Sequence, residues 1–139
     1  MTNIITSKPQ KEIAAPILGA ESRPFWEAAQ QERFILKKCD ECELVFWYPR
    51  AHCPDCWSSR TSWVPSCGQG SVYTYTVMRK VKVPYVIAYV HLDDGPIMLT
   101  NLQIEDFENI HIGMRVDVTF AMAVDGSKIP VFKPEYSGS

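Results

Sequence analysis

The sequence predicts a mainly β fold, built as a short N-terminal helix, a cysteine-bearing metal ribbon and a small five-stranded barrel. Three observations predict it. Four cysteines stand as two Cys-x-x-Cys pairs at 39/42 and 53/56. Only one stretch places good helix formers behind a capping signal, and everything after residue 68 alternates between β-branched or aromatic runs and turn residues. The 139 residues make one ordinary domain or two very small ones, and 46% hydrophobic content supplies a core despite ten prolines.

In order, residues 1–22 are rich in Lys, Pro, Ser and Thr and read as an extended leader that docks elsewhere or stays mobile, since Pro9 and Pro16 block a continuous helix. Residues 23–36 read as a helical segment. Ser22 can cap it, Pro24 suits its first turn, and the helix proper is expected over 24–32. From Arg33 bulky apolar residues lead as a strand into the first cysteine pair, opening a ribbon over 37–67. The barrel is expected over 68–136, with strands at 72–78, 85–92, 97–102, 115–124 and 129–132. The first three should form a meander, and residues 105–109 one helical turn. In the fourth, apolar residues at 116, 118, 120, 122 and 124 alternate with Arg115, Asp117 and Thr119, so Val116, Val118 and Phe120 are expected to face the core.

Cys39, Cys42, Cys53 and Cys56 carry the strongest chemical signal. Two tight knuckles separated by ten residues can converge four thiolates on one tetrahedral ion, at Zn–S distances of about 2.3 Å. A reducing compartment favours metal over disulfides for such pairs. Zinc is favoured, and a mononuclear iron centre would use the same ligands. Four thiolates leave no open coordination position, so the expected role is structural. His52 is expected outside the ligand set. Cys67 lies outside both knuckles and reads as a buried small hydrophobe.

Other chemistry is sparse. His52, His91 and His111 are scattered, and no nucleophile elbow, phosphate-binding loop or dinucleotide fingerprint is present, so no catalytic residue is assigned. Glu105, Asp106 and Glu108 read as a solvated face. Arg79, Lys80 and Lys82 crowd the end of the first barrel strand, and two readings stand together: a surface for phosphates, or cations that keep a strand end from pairing with another molecule. Fourteen Lys and Arg against sixteen Asp and Glu give a net charge of -2, without the footprint of a general nucleic-acid binder. No apolar run reaches the length of a membrane span and no signal peptide is visible, so a cytoplasmic protein is expected. Phe25, Trp26, Phe46, Trp47, Tyr48, Trp57 and Trp63 load the first half with more aromatics than so small a helix and ribbon can bury. Phe25, Trp26, Phe46, Trp47 and Tyr48 are therefore the candidate partner interface.

An ordered set of motifs goes further. It comprises Pro24, Phe25 and Trp26 opening a helix, then Cys39 and Cys42 with Phe46, Pro49 and Arg50 leading to Cys53, Pro54 and Cys56. Gly70, Val72, Tyr73, Tyr75, Thr76 and Val77 follow, with Pro84 and Tyr85, and then Ile112, Gly113, Met114 and Val116. Together these resemble the acyl-CoA-associated family in which a rubredoxin-like zinc ribbon precedes an OB-fold, over roughly residues 22–134. The resemblance implies a zinc-bearing subunit without catalytic residues that works beside thiolase-like enzymes: acetyl-CoA acetyltransferases, hydroxymethylglutaryl-CoA synthase-type complexes, or thiolase-like aldolases of steroid side-chain degradation. It would bind or channel CoA thioesters or stabilise the partner. Arg79, Lys80 and Lys82 would then meet CoA phosphates. The sequence departs from the family at Gln69, often a basic residue, which weakens any role of that turn in holding a CoA phosphate. The rival reading is a nucleic-acid module, since OB-folds and zinc ribbons also serve translation and transcription. Asp40, Glu41, Glu43 and Asp55 around the knuckles oppose it.

Overall fold

The computed structural model describes residues 13–16 and 19–135. The expectations for residues 1–12, 17–18 and 136 fall outside them.

The helix α1 (Arg23–Gln30) starts where Pro24 presets the first turn. Ser22 occupies the capping position without capping: its hydroxyl donates back to the Gly19 carbonyl at 3.5 Å instead of accepting a helix amide. The helix ends two residues before the expected 32. The Glu32 amide donates to the Ala29 carbonyl and the Arg33 amide to the Ala28 carbonyl, with Glu32 at φ 59°, a Schellman closure made without glycine. That end is tied to the barrel by Lys128, whose amide donates to Gln30 and whose Nζ sits 2.6 Å from Glu32.

The strands β1 (Ile35–Cys39), β2 (Val45–Phe46) and β3 (Thr61–Pro65) form an antiparallel sheet ordered β2-β1-β3, with Lys37 opposite both Phe46 and Trp63. Five strands then close a barrel: β4 (Gln69–Met78), β5 (Tyr85–Leu92), β6 (Ile97–Leu102), β7 (Arg115–Met122) and β8 (Lys128–Pro134), in the cyclic order β4-β5-β6-β8-β7. The meander β4-β5-β6 is antiparallel throughout. Closure comes from one parallel contact, Leu102 opposite Phe132, supported by the Gln103 amide on the Phe132 carbonyl at 2.7 Å. Asp106 caps a 3-10 turn over Phe107–Asn109 between β6 and β7. At Gly68 the backbone turns through φ +73°, and an added Cβ would lie 2.7 Å from the Val118 side chain, so only glycine lets the ribbon enter the barrel there.

Helix, ribbon and barrel share one core. Phe25, Phe34 and Leu36 are buried together with Val72, Val86, Ala88, Val90, Val116 and Phe132. Aromatic rings run through it as Trp47, Phe25, Phe34 and Phe132, with centroid separations of 4.8, 6.0 and 6.1 Å. Val116 is fully buried, whereas Val118 and Phe120 are only half-buried against this core.

Three expectations need correction. The fourth barrel strand stops at Met122, after which the chain leaves the sheet for the Asp125-Gly126 turn, and Met122, at the strand's end opposite Lys128, and Val124 beyond it are 67% and 64% exposed. Phe25 and Phe46 are 0% and 4% exposed. They are core residues covered by neighbouring aromatics and the ribbon sheet, and no partner can reach them. Cys67 is exposed, not buried, because it lies in the strand-free joint between ribbon and barrel.

Candidate metal centre

Each cysteine pair builds the same local turn. The Glu43 amide donates to the Cys39 carbonyl and the Trp57 amide to the Cys53 carbonyl, both at 3.0 Å, and Glu43 and Trp57 share φ 66°. The left-handed residue after each pair curls the backbone so that its amides point at sulfur. Glu41 and Cys42 amides lie 3.4 Å from Cys39 Sγ, and Asp55 and Cys56 amides 3.4 and 3.5 Å from Cys53 Sγ. The two turns thus repeat one backbone conformation. They are held face to face by the Asp40 amide on the Arg60 carbonyl, by Ser62 Oγ on Asp40 at 2.7 Å, and by Ser58 Oγ on Glu41.

The four sulfurs lie within 4.8 Å of one another, with Cys39–Cys56 at 3.5 Å and Cys42–Cys53 at 3.6 Å. A tetrahedron with Zn–S bonds of about 2.3 Å has S···S edges of about 3.8 Å, so the donor set fits one ion. Cys39 and Cys53 are buried and Cys42 and Cys56 exposed, placing the centre at the ribbon's edge with its backbone side sealed. The Cys42 amide holds the Cys39 thiol down at about 7. Against the lowering effect of the Leu44 amide, desolvation and the Cys53 and Cys39 sulfurs push Cys42 up to about 12. Thiols this close cannot all ionise on their own charge, and a divalent cation among them resolves the conflict.

The remaining candidates are not brought into one place. Arg79 sits 3.9 Å from Glu108 and 6.0 Å from the Phe107 ring, drawn to the 3-10 turn, while Lys80 and Lys82 are exposed in the β4–β5 connection. Asp106 accepts from the Glu108 amide and from Asn109 Nδ2, so it serves the turn. Of the aromatic set, Trp26, Trp47 and Tyr48 reach the surface together: Trp26 Nε1 donates to Tyr48 Oη at 3.4 Å and the Trp47 and Tyr48 rings are 4.9 Å apart. Gln69 Nε2 lies between two carboxylates, 3.2 Å from Asp117 and 3.1 Å from Glu135. Sequence reasoning missed Asp94, which anchors the joint around Cys67. The only cue to it was its place in an Asp-Asp-Gly turn.

Comparison with known proteins places both halves. The ChsH2 rubredoxin-like zinc ribbon domain matches residues 26–62 and the ChsH2 C-terminal OB-fold domain residues 63–121. A probable enoyl-CoA hydratase alpha subunit of Thermomonospora curvata is 32% identical over 132 residues, which are 91% of this chain but 41% of that protein. The chain therefore spans less than half the length of that relative. A DUF35 domain-containing scaffold protein of Pyrococcus furiosus is 32% identical over 68% of this chain and 74% of its own length. Among solved structures, the Ltp2-ChsH2(DUF35) aldolase superposes with a TM-score of 0.78 at 32% identity, covering 86% of this chain and 98% of the matched one. With its cysteine ribbon, its closed barrel and these matches in the same order, the chain belongs to the DUF35 family of ChsH2-type zinc ribbon and OB-fold proteins.

Proposed function

We propose that this chain is a non-catalytic accessory subunit of an acyl-CoA-processing complex, docking on a thiolase-fold enzyme to stabilise it and to help bind or channel its thioester. The observation that carries this reading is the superposition on nearly the whole of a chain from the Ltp2-ChsH2(DUF35) aldolase. The Thermomonospora relative, named as an enoyl-CoA hydratase subunit, supports the acyl-CoA setting. The metal is zinc with a structural role, because four thiolates close its coordination and backbone amides already satisfy the sulfurs. Such ligands need reducing surroundings, which suits the cytoplasm. Trp26, Trp47 and Tyr48 form the docking patch, with Phe25 and Phe46 beneath it as support. Lys80 and Lys82 are the cations free to meet CoA phosphates, Arg79 being turned towards Glu108.

Co-expression with the thiolase-fold enzyme of the same genome tests this. A stable complex by light scattering, dissociated by Trp26→Ser with Tyr48→Ser at unchanged metal content, is expected, and the complex should bind acyl-CoA more tightly than either component. Two separate proteins that never co-elute would sink the reading, as would thioester turnover by the isolated chain.

A further inference from the structure

The four sulfurs of the ribbon are not equivalent. Cys39 and Cys53 are fully buried, and each faces two backbone amides, those of Glu41 and Cys42 and those of Asp55 and Cys56. Cys42 and Cys56 are exposed. Among the described residues Cys42 meets the Leu44 amide alone and Cys56 the Ser58 amide alone. An N–H on a thiolate draws down its electron density and burial keeps reagents away, so nucleophilic character and access coincide on the same two sulfurs. The short S···S approaches then join one sulfur of each kind across the knuckles, Cys42 with Cys53 at 3.6 Å and Cys56 with Cys39 at 3.5 Å. Each exposed thiolate therefore has a buried thiolate of the other turn beside it.

We infer that this ligand set is also an oxidation site, at which a small neutral hydroperoxide forms two cross-knuckle disulfides, Cys42–Cys53 and Cys39–Cys56, and frees the metal. Cys42 Sγ attacks one oxygen of hydrogen peroxide, the O–O bond breaks, hydroxide leaves and the sulfur becomes a sulfenic acid. Cys53 Sγ then attacks that sulfur and displaces a second hydroxide. The sulfur pair gives up two electrons and the peroxide takes them. Cys56 and Cys39 repeat the sequence, so four thiolates and two peroxides yield two disulfides and four hydroxides, and no thiolate is left to hold a divalent ion. Charge selects a neutral oxidant. Residues 39–44 and 53–60 carry Asp40, Glu41, Glu43 and Asp55 against Arg60 alone, and four thiolates outweigh a divalent ion by two charges, so anionic reagents are repelled. Cys67, though exposed, lies beyond the far end of β3, whose first residue Thr61 is the one opposite Cys39. Trp47 and Tyr48 follow the first knuckle directly through β2, so oxidation also loosens the docking patch. That consequence alone rests on the accessory-subunit reading.

Titration of the full zinc-loaded chain with hydrogen peroxide tests it without any partner enzyme, with Cys67→Ser alongside to remove the fifth thiol and a chromogenic chelator reading free zinc. Release that is complete near two peroxides per zinc is expected in both chains, and dithiothreitol with added zinc should reverse it. Peptide mapping should find Cys42–Cys53 and Cys39–Cys56. Dimedone present during the first equivalent should mark Cys42 and Cys56 and spare Cys39 and Cys53. Glutathione disulfide, an anion, should release zinc at least tenfold more slowly than peroxide at the same concentration. Zinc retained at a tenfold excess of peroxide overturns the inference. So do disulfides within the pairs 39/42 and 53/56, dimedone on the buried sulfurs, or equal rates with the two oxidants. Failure to bind any thiolase-fold enzyme would sink the accessory-subunit reading and leave all of these outcomes as they are.

Discussion

Asp94, in the turn between β5 and β6, accepts a 2.7 Å hydrogen bond from the hydroxyl of Ser66, 28 positions earlier, where the ribbon runs into the barrel. Ser66 Oγ in turn accepts from the Gly68 amide at 3.0 Å, and the other Asp94 oxygen lies 3.4 Å from the Cys67 amide. One carboxylate therefore gathers the hydroxyl and the Cys67 amide of a joint whose backbone is otherwise held by the Ser66 amide on the Phe34 carbonyl and the Val118 amide on the Gly68 carbonyl. Asp94→Ala should cost about 1 kcal/mol, the net value of such a bond. Amide exchange should accelerate at residues 67 and 68 while β5 and β6 keep their protection.

The metal centre predicts a graded loss. Cys39→Ser removes the buried sulfur that receives two amides, and elemental analysis should then find metal well below one equivalent. Because metal binding and ribbon folding are one equilibrium, residues 39–61 should lose exchange protection together. Strong chelation of the unmodified chain should reproduce that pattern.

Gln69 lies between Asp117 and Glu135, so a basic residue at this turn has a structural task before any task with CoA. Gln69→Lys should raise stability by about 0.2–1 kcal/mol through ion pairs that solvent still reaches, all three side chains being half-buried. The gain should shrink in high salt, and acyl-CoA affinity of the complex should stay unchanged.

Phe25 and its neighbour Trp26 should separate cleanly. Phe25 is fully buried between Trp26, Phe34 and Trp47, and Phe25→Ala should cost about 3–5 kcal/mol. Phe120, only half-buried, should cost less than that when cut to alanine. Trp26→Ser, at a half-buried ring stacked edge-on against Phe25, should cost less stability than Phe25→Ala and act in addition on enzyme docking. Chemical denaturation of the three variants orders them.

Arg115 grips Asp93 with two bonds, at 3.0 and 2.6 Å, and this guanidinium holds the Asp93 carboxyl below its usual range. A carboxyl lowered on folding contributes stability above its unfolded value of about 3.9, and loses it as pH falls through the lower folded value. Both side chains are about two-fifths exposed, 41% and 42%, so solvent screens the effect. Arg115→Ala should move the Asp93 titration upward by carbon NMR and flatten the acid limb of the stability curve.

The sequence by itself determined the features that are local. Cysteine spacing selects the four ligands, since a Cys-x-x-Cys turn brings its own amides to its own sulfur. Runs of β-branched and aromatic residues between turn signals place the barrel strands to within a few residues, because a strand's period is written in consecutive side chains. What only the tertiary structure decided is which neighbour covers each apolar residue. Phe25 and Trp26 are adjacent and both aromatic, yet one is sealed by Trp47 and Phe34 and the other reaches the surface. Met122 continues the alternation of Val116 and yet stands exposed at the end of its strand. Cys67 reads as core and stands exposed, Tyr73 is turned outward by a bulge with no sequence mark, and the barrel closes through Leu102 opposite Phe132, 30 residues apart. Burial is a property of pairs of elements brought together by chain closure, and a linear pattern records only one member of each pair.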